Sequence, residues 1–218
     1  MWCITKIDPE YRKRMYNILK LYSKDYNPKY PIICFDEKHK QLISDTVNRI
    51  PMKPGSPEKY DYHYKRNGTA NIFVAVDFNG GKRDITVTDR RTKTDFAHYI
   101  KHLVDDVFSD AEKLRIVMDN LNTHTYTSIL ENFELQEAVR LISKISFHYT
   151  PKHASWLNMA EIEINVMDTQ CTGRRIKDKN LLISETTAYQ NHRNKNKCKI
   201  NWNFSKENAD EKLSKCYV

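Results

Sequence analysis

A chain of 218 residues is long enough for one domain of ordinary size, or one domain with a small appendage, and can bury about 70% of its unfolded surface without staples. Its five cysteines, Cys3, Cys34, Cys171, Cys198 and Cys216, are odd in number and never form a C-x-x-C pair. That argues against a disulfide framework or a zinc site and favours a reducing, cytoplasmic compartment. No apolar run approaches the roughly 20 residues that span a bilayer, and the N-terminus lacks a signal-peptide apolar region, so a soluble protein is expected. Lys and Arg number 36 against 28 Asp and Glu, a net charge of +8.

Along the chain, Pro9 to Ser23 reads as a helix, with Tyr11, Met15, Ile18, Leu19 and Tyr22 recurring at intervals of three and four. A polar linker, Lys24 to Pro28, leads to the apolar run Pro31-Ile32-Ile33-Cys34-Phe35, a first strand ending at Asp36. Gln41 to Arg66 carries Pro51, Pro54, Gly55 and Pro57 and reads as a long functional excursion, with a hairpin as one form for it. Asn71–Asp77 and Asp84–Thr88, separated by a turn cluster containing Gly80-Gly81, read as a β-hairpin. Thr94 is expected to cap a helix through Phe108, with Phe96, Ile100, Leu103, Val104 and Val107 on one face. Leu114-Arg115-Ile116-Val117-Met118 is a strand buried on both faces that stops at Asp119. One helix from about Tyr126 to Lys144 follows, then a fifth strand, Ile145–Tyr149. Three more helices are expected, at Trp156–Cys171, Leu181–His192 and Lys206–Lys215.

A carboxylate at the carboxyl end of a buried strand is costly unless something uses it, and in α/β sheets those ends are where ligands sit. The pattern occurs twice, at Asp36 and Asp119, and two such aspartates at one sheet edge point to a divalent cation. Three strands, helix, strand, helix, strand, helix is the ribonuclease-H-like order, an α/β fold with a mixed five-stranded sheet flanked by helices, here with extra C-terminal helices. Its metal site takes a third carboxylate from the helix after strand five. That helix carries Glu161 and Glu163, which at about 100° per residue lie about 200° apart, so at most one faces the metal.

FDEKHKQLI around Asp36, MDNLNTHT around Asp119 and HYTPKHASWLNMAEIEINV around Glu161 resemble the transposases of the Tc/mariner superfamily, most closely the prokaryotic insertion-sequence family six-thirty. The likeness runs from Trp2 to the C-terminus and includes YDYHYKRNGTANIFV and TKTDFAHYIKHLVDDVF. The superfamily's third motif, Asn-Pro-x-Glu, stands here as Asn158-Met159-Ala160-Glu161, which selects Glu161 over Glu163; Met159 replaces the proline. Asp119 and Glu161 have 41 residues between them, longer than the mariner spacing. The resemblance implies that Asp36, Asp119 and Glu161 are the catalytic, metal-holding carboxylates. It also implies that water attacks first to free a DNA end and that the 3′-hydroxyl then attacks target DNA at a TA step. Element ends and target DNA are the implied partners, a homodimer is an open option, and the implied setting is the nucleoid.

Phosphodiester transfer requires charge stabilisation at both the attacking and the leaving oxygen, which two Mg²⁺ (or Mn²⁺) ions about 3.5–4 Å apart supply. Hard cations take oxygen ligands, so three carboxylates with water and phosphate oxygens suffice. Without metal, a like pair about 4 Å apart costs on the order of 4 kcal/mol, so the site is expected to be partly protonated or splayed, and Asp119→Asn to leave stability unchanged or slightly raised.

Supporting roles are assigned to Glu37, Asn120, His124, Trp156 and Asn158. Glu37 either backs the site or only pairs with Lys38 or Lys40. His124 either positions a phosphate, holds the metal-site loop or makes a structural hydrogen bond. Trp156 either stacks on a base or packs as a hydrophobic staple at its helix start. His98 and His102, four apart, read as solvated rather than as a metal pair. Tyr60, Tyr62 and Tyr64 alternate with polar residues and read first as an edge strand, second as a stacking platform.

From Arg174 to Lys199 eight basic residues face two acidic ones. This is either a solvated surface or a phosphate-binding stripe in which Arg174, Arg175, Lys177, Lys195, Lys197 and Lys199 contact DNA. The expected organisation is an N-terminal helix and linker (1–30), a catalytic domain (31–172) and a basic helical extension (173–218). Two functions compete: a metal-dependent DNA transposase catalytic domain, and a DNA-binding remnant that keeps the fold without turnover. The presence of all three carboxylates favours the first. Entering at Met1-Trp2-Cys3, one helix before Asp36, the chain leaves no room for the helix-turn-helix readers usual in such transposases, so a separately encoded reader is expected as a partner.

Overall fold

The computed structural model describes residues 6–218; Cys3 and the Met1–Cys3 start lie outside the described residues. One mixed sheet of five strands, in the order β3-β2-β1-β4-β5, forms the centre. β1 (Ile32–Asp45), β2 (Tyr64–Asp77) and β3 (Lys82–Thr88) form an antiparallel meander. β4 (Leu114–Met118) joins β1 in parallel and β5 (Ile145–Tyr149) joins β4 in parallel, each reached by a helical crossover as parallel pairing requires.

Alternation along the strands divides the core. Ile33, Phe35, Phe73, Ala75, Ile116 and Met118 face α2 (Lys93–His102), α3 (Tyr126–Leu130) and α4 (Leu135–Ser143). Cys34, Val76 and Val117 face the other way, onto α1 (Pro9–Tyr22) and the start of α5 (Ala160–Met167). Further along that second face, Ile72, Val74 and Ile85 pack under the end of α5 and under α6 (Lys179–Lys195). α7 (Lys206–Leu213) returns to α1, where Ala209 joins the same core and Asp210 accepts from Tyr217.

Several boundaries differ from the sequence reading. β1 does not stop at Asp36. It continues to Asp45 because β2 keeps pairing with it after β4 has ended, so the excursion shrinks to residues 46–63, itself a small hairpin with Ile50 bridged to Lys59. The cap of α2 is Thr92, not Thr94, because only Thr92 has an acidic residue three positions on: Asp95 returns its hydrogen bond in a capping box. The helix expected from Tyr126 to Lys144 is two helices, broken where Asn132 turns its amide back to the Ser128 carbonyl and Phe133 enters the core. The expected helix from Trp156 to Cys171 is a 3₁₀ turn (Ser155–Leu157), then α5, then a π-helical turn (Asp168–Thr172) closed by the Gly173 amide on the Asp168 carbonyl.

Within residues 173–218, read as an extension, α6 packs over β3 and the end of α5, and α7 packs on α1. β3 is an edge strand, and α6 covers it with side-chain amides. Asn194 accepts from the Arg83 amide and donates to its carbonyl, and Gln190 accepts from the Ile85 amide.

Candidate active site

Register places the two aspartates side by side. Ile32, Ile33 and Cys34 pair with Arg115, Ile116 and Val117, and carrying that register two residues further brings Asp36 opposite Asp119, just where the parallel strands part. Alternation points Asp36 with Cys34 toward the face that α5 covers, whereas Asp119, one residue beyond β4, turns its carboxylate to His124, whose ring packs on Phe35 and Phe96. α5 presents Glu161 in its first turn, and Glu161 lines one cleft of about 440 Å³ with Asp36, Glu37, Lys38, His39, Ile164, Asn165 and Asp168.

Asp36 is largely buried. Burial pushes its carboxyl up, the Glu37 amide at 2.8 Å draws it back, and the Asp119, Glu161 and Glu37 carboxylates add to the rise, leaving it at about 7. Asn158 braces it from below: its amide donates to the Phe35 carbonyl at 2.8 Å and approaches Asp36 Oδ2 at 3.4 Å, while its own carbonyl accepts from the Ala160 amide. One buried side chain thus ties β1 at the site to the start of α5.

Asp119 is held differently. His124, 1% exposed, places Nδ1 2.6 Å from Asp119 Oδ1 and Nε2 3.0 Å from Glu37 Oε1. Burial alone would lower the imidazole, but the Asp119 and Glu37 hydrogen bonds and charges outweigh it and raise His124 to about 9. The same contact overcomes burial at Asp119 and holds its carboxyl below the usual range, with help from the Leu121 amide and Arg91. Glu37 therefore pairs with His124 and Arg91 rather than with Lys38, which pairs with Asp168, or Lys40, which donates to the Thr172 and Arg174 carbonyls.

The remaining sequence candidates are placed as follows. Asn120 is exposed beside Asp119. Trp156 packs in an aromatic cluster, parallel to Trp202 with centroids 6.4 Å apart and edge-on to Phe204, so its ring is engaged within the chain. His98 faces the Thr94 carbonyl and His102 reaches Asp106 and Asp84, so they do not share a site. The six basic residues do not form one stripe. Arg174, Arg175 and Lys177 precede α6 and Lys195, Lys197 and Lys199 end or follow it, roughly 25 Å apart along its 17 residues. Arg174 pairs with Glu185, and Arg175 is anchored by Asp45 and by the Asp61 and His63 carbonyls, between the Tyr60 and Tyr64 rings. Arg175 therefore holds the 46–63 hairpin to the body through Tyr60 and the Asp61 and His63 carbonyls, leaving Tyr62 80% exposed.

The sequence reading missed the role of Glu163. It is fully buried, bidentate to Arg83 at 2.7 and 2.9 Å, and also accepts from Arg193 and Tyr189. The signal was present: a glutamate between Ile162 and Ile164 that cannot face the metal needs another partner.

The family model of the DDE superfamily endonucleases matches residues 31–183. The chain belongs to that family. No curated protein matches it. Its fold is that of the Mos1 mariner transposase. The Mos1 paired-end complex with Mn superimposes with a TM-score of 0.58 at 12% identity over 99% of this chain, and the Mos1 strand transfer complex with 0.59 at 12% over 99%. The paired-end complex with Mg gives 0.54 at 11% identity over 100% of this chain. The chain spans 64%, 63% and 66% of those Mos1 chains.

The donor set of this member of the DDE superfamily fits a divalent cation. Asp36 and Glu161 offer hard oxygen ligands, and among the described residues neither has a cationic partner. As placed, no three His, Cys, Asp or Glu side chains among the described residues stand close enough to hold an ion. Asp119 is drawn instead to His124.

Proposed function

We propose that this chain is the catalytic domain of a DNA transposase of the insertion-sequence family six-thirty, cutting and joining phosphodiester bonds with two Mg²⁺ or Mn²⁺ ions. The supporting observation is the placement of Asp36, Asp119 and Glu161 around the point where β1 and β4 part, with Asp36 raised to about 7 partly by the other two. Asp36, Asp119 and Glu161 would hold the ions, and bound ions would stabilise charge on the attacking and leaving oxygens.

The chain's own groups do the rest. His124, fixed between Glu37 and Asp119, sets the Asp119 carboxylate and delivers a positive charge beside it. Asn158 fixes the distance between β1 and the first turn of α5. The cleft is open on one side, which suits a polymeric substrate whose scissile phosphate must reach the carboxylates from outside. The basic residues bracketing α6 are the proposed phosphate contacts, with Lys195, Lys197 and Lys199 as the group without carboxylate partners among the described residues. Element ends and target DNA are the proposed substrates, and residues 31–172 the proposed catalytic unit. The experiment is nicking of duplex DNA with and without Mg²⁺, run beside Asp119→Asn. Metal-dependent nicking that the variant lacks supports the reading; nicking by the variant at the wild-type rate removes Asp119 from it.

A further inference from the structure

α5 carries Glu161, yet its sequence does little to fix which way it faces. Ala160-Glu161-Ile162-Glu163-Ile164-Asn165-Val166-Met167 carries apolar side chains beyond its buried stripe: Ile162 is 42% exposed while Ala160 and Met167 are buried. Turned by about 100° in one direction, the helix could offer the core Val166 and Ile162 in place of its present stripe, keeping apolar side chains inside. Such a rotation would swing Glu161 away from Asp36. The helix is short, eight residues, so its own length does little to hold its azimuth.

What singles out the observed rotation is Glu163. It lies within the buried stripe Ala160, Glu163, Met167 and is met by three side chains from two elements, β3 and α6. Arg83 of β3, 1% exposed, grips both its oxygens; Arg193 of α6 approaches at 3.2 and 3.0 Å; the Tyr189 hydroxyl, also from α6, donates at 2.7 Å. Arg83 is itself held by donating to the Gly81 carbonyl, and its backbone is clamped by Asn194. A carboxylate that accepts five hydrogen bonds from three side chains tolerates no other azimuth, since turning it out leaves the buried Arg83 guanidinium and the mostly buried Arg193 guanidinium without a counter-charge. Buried ion pairs contribute little net stability but can select one arrangement among apolar alternatives.

We infer that Glu163, Arg83, Arg193 and Tyr189 form a positioning cluster that fixes the rotation of α5 and thereby aims Glu161, some 200° around the helix, at Asp36. α6 is on this account part of what builds the catalytic centre, although it lies beyond the segment that carries the three carboxylates. The inference rests on the reading of Glu161 as a metal-holding carboxylate.

Mn²⁺ binding to the full chain, followed by electron paramagnetic resonance, tests it without recourse to turnover. The triple variant Arg83→Met, Glu163→Leu, Arg193→Met replaces the cluster by apolar side chains of similar size, so it can fold while losing the directional lock. Arg193→Lys is the mild companion, keeping the charge and the Arg83 pair but losing the planar fork. Ile145→Val, a core truncation at the far end of β5, is the control for stability loss alone. The expected result is that the triple variant keeps a cooperative thermal transition while its Mn²⁺ dissociation constant rises by about 10–100-fold. Arg193→Lys should weaken binding less, in the same direction, and Ile145→Val should match the wild type. Wild-type Mn²⁺ affinity in a folded triple variant overturns the inference, as does wild-type affinity in Arg193→Lys should the triple variant fail to fold. If the wild-type chain does not bind Mn²⁺, or Glu161→Gln binds it as tightly, the metal-site reading fails, and the inference with it. A wild type that binds while Glu161→Gln does not confines any failure to the cluster.

Discussion

His124 and Asp119 stand 2.6 Å apart, imidazole Nδ1 to carboxylate Oδ1, five residues from each other on the loop that leaves β4. With Glu37 on the other ring nitrogen, the histidine is a buried cation between two anions. This one contact separates the two aspartates: Asp119 is stabilised as an anion, whereas burial and its neighbours push Asp36 toward the neutral acid.

The first consequence is a pH-dependent stability. His124 is raised from 6.5 to about 9, so its contribution is fully present below pH 6.5 and is lost as pH rises through 9. Thermal melts of metal-free protein should therefore show Tm falling between these limits, and His124→Asn should flatten that part of the curve while lowering Tm at pH 6. A variant curve parallel to the wild type would show that His124 is not charged in the fold.

The two aspartates should respond oppositely to neutralisation. Asp36 is raised from 3.8 to about 7, so its ionisation destabilises the metal-free fold progressively above pH 4 and fully above about 7. Asp36→Asn should raise Tm at pH 7.5 and lose that advantage by pH 4. Asp119→Asn should lower stability by about 1 kcal/mol, since the lost charge-assisted hydrogen bond involves a half-exposed carboxylate. Sequence reasoning alone expected unchanged or raised stability at Asp119, because it counted the repelling carboxylates and not the histidine. Equal shifts in the two variants would refute the distinction.

Asn158 joins the backbone of β1 to the helix that follows β5. Asn158→Ala leaves the Phe35 carbonyl and Ala160 amide without their side-chain partners in a buried setting and should destabilise the protein by about 1–3 kcal/mol in urea melts. DNA nicking should fall by more than the loss of folded protein accounts for. Unchanged activity per folded molecule would limit Asn158 to a structural part.

The separation of the basic residues makes a prediction about salt. Lys195 and Lys197 sit at the end of α6 away from carboxylate partners, whereas Arg175 is spent on Asp45 and the hairpin backbone. Each phosphate contact contributes a slope of about −0.9 to log affinity against log salt, so Lys195→Ala with Lys197→Ala should flatten the slope by roughly two. Arg175→Ala should loosen the 46–63 hairpin and leave the slope nearly unchanged. The reverse pattern would place the DNA at the other end of α6.

Much of this was legible in the sequence, and the exceptions have physical causes. The order of strands and helices along the chain and the burial of 114–118 follow from apolar periodicity, and Asp36 and Asp119 stand where the apolar runs give out. The extent of β1 was not legible, because its second half, Lys38 to Asp45, is polar and owes its strand form to pairing with β2. The break at Asn132 depends on a side chain capping its own helix, and the cap at Thr92 on a reciprocal Asp95, both local choices among similar candidates. The Glu163 cluster joins residues 80 and 30 positions apart, a distance that no periodicity reports. The basic stripe was an inference from composition, and folding divided it between the two ends of one helix.

The central claim is that Asp36, Asp119 and Glu161 together make a metal-dependent DNA-cutting centre. It is tested most directly by the rate of duplex nicking in Mg²⁺ for the wild type, Asp36→Asn, Asp119→Asn and Glu161→Gln, each checked for its thermal transition. The account predicts metal-dependent nicking by the wild type, abolished by chelation, and a loss of about 100-fold or more in each variant although Asp36→Asn is the more stable protein. Nicking that survives chelation, or that any one of the three variants retains at the wild-type rate, would contradict it.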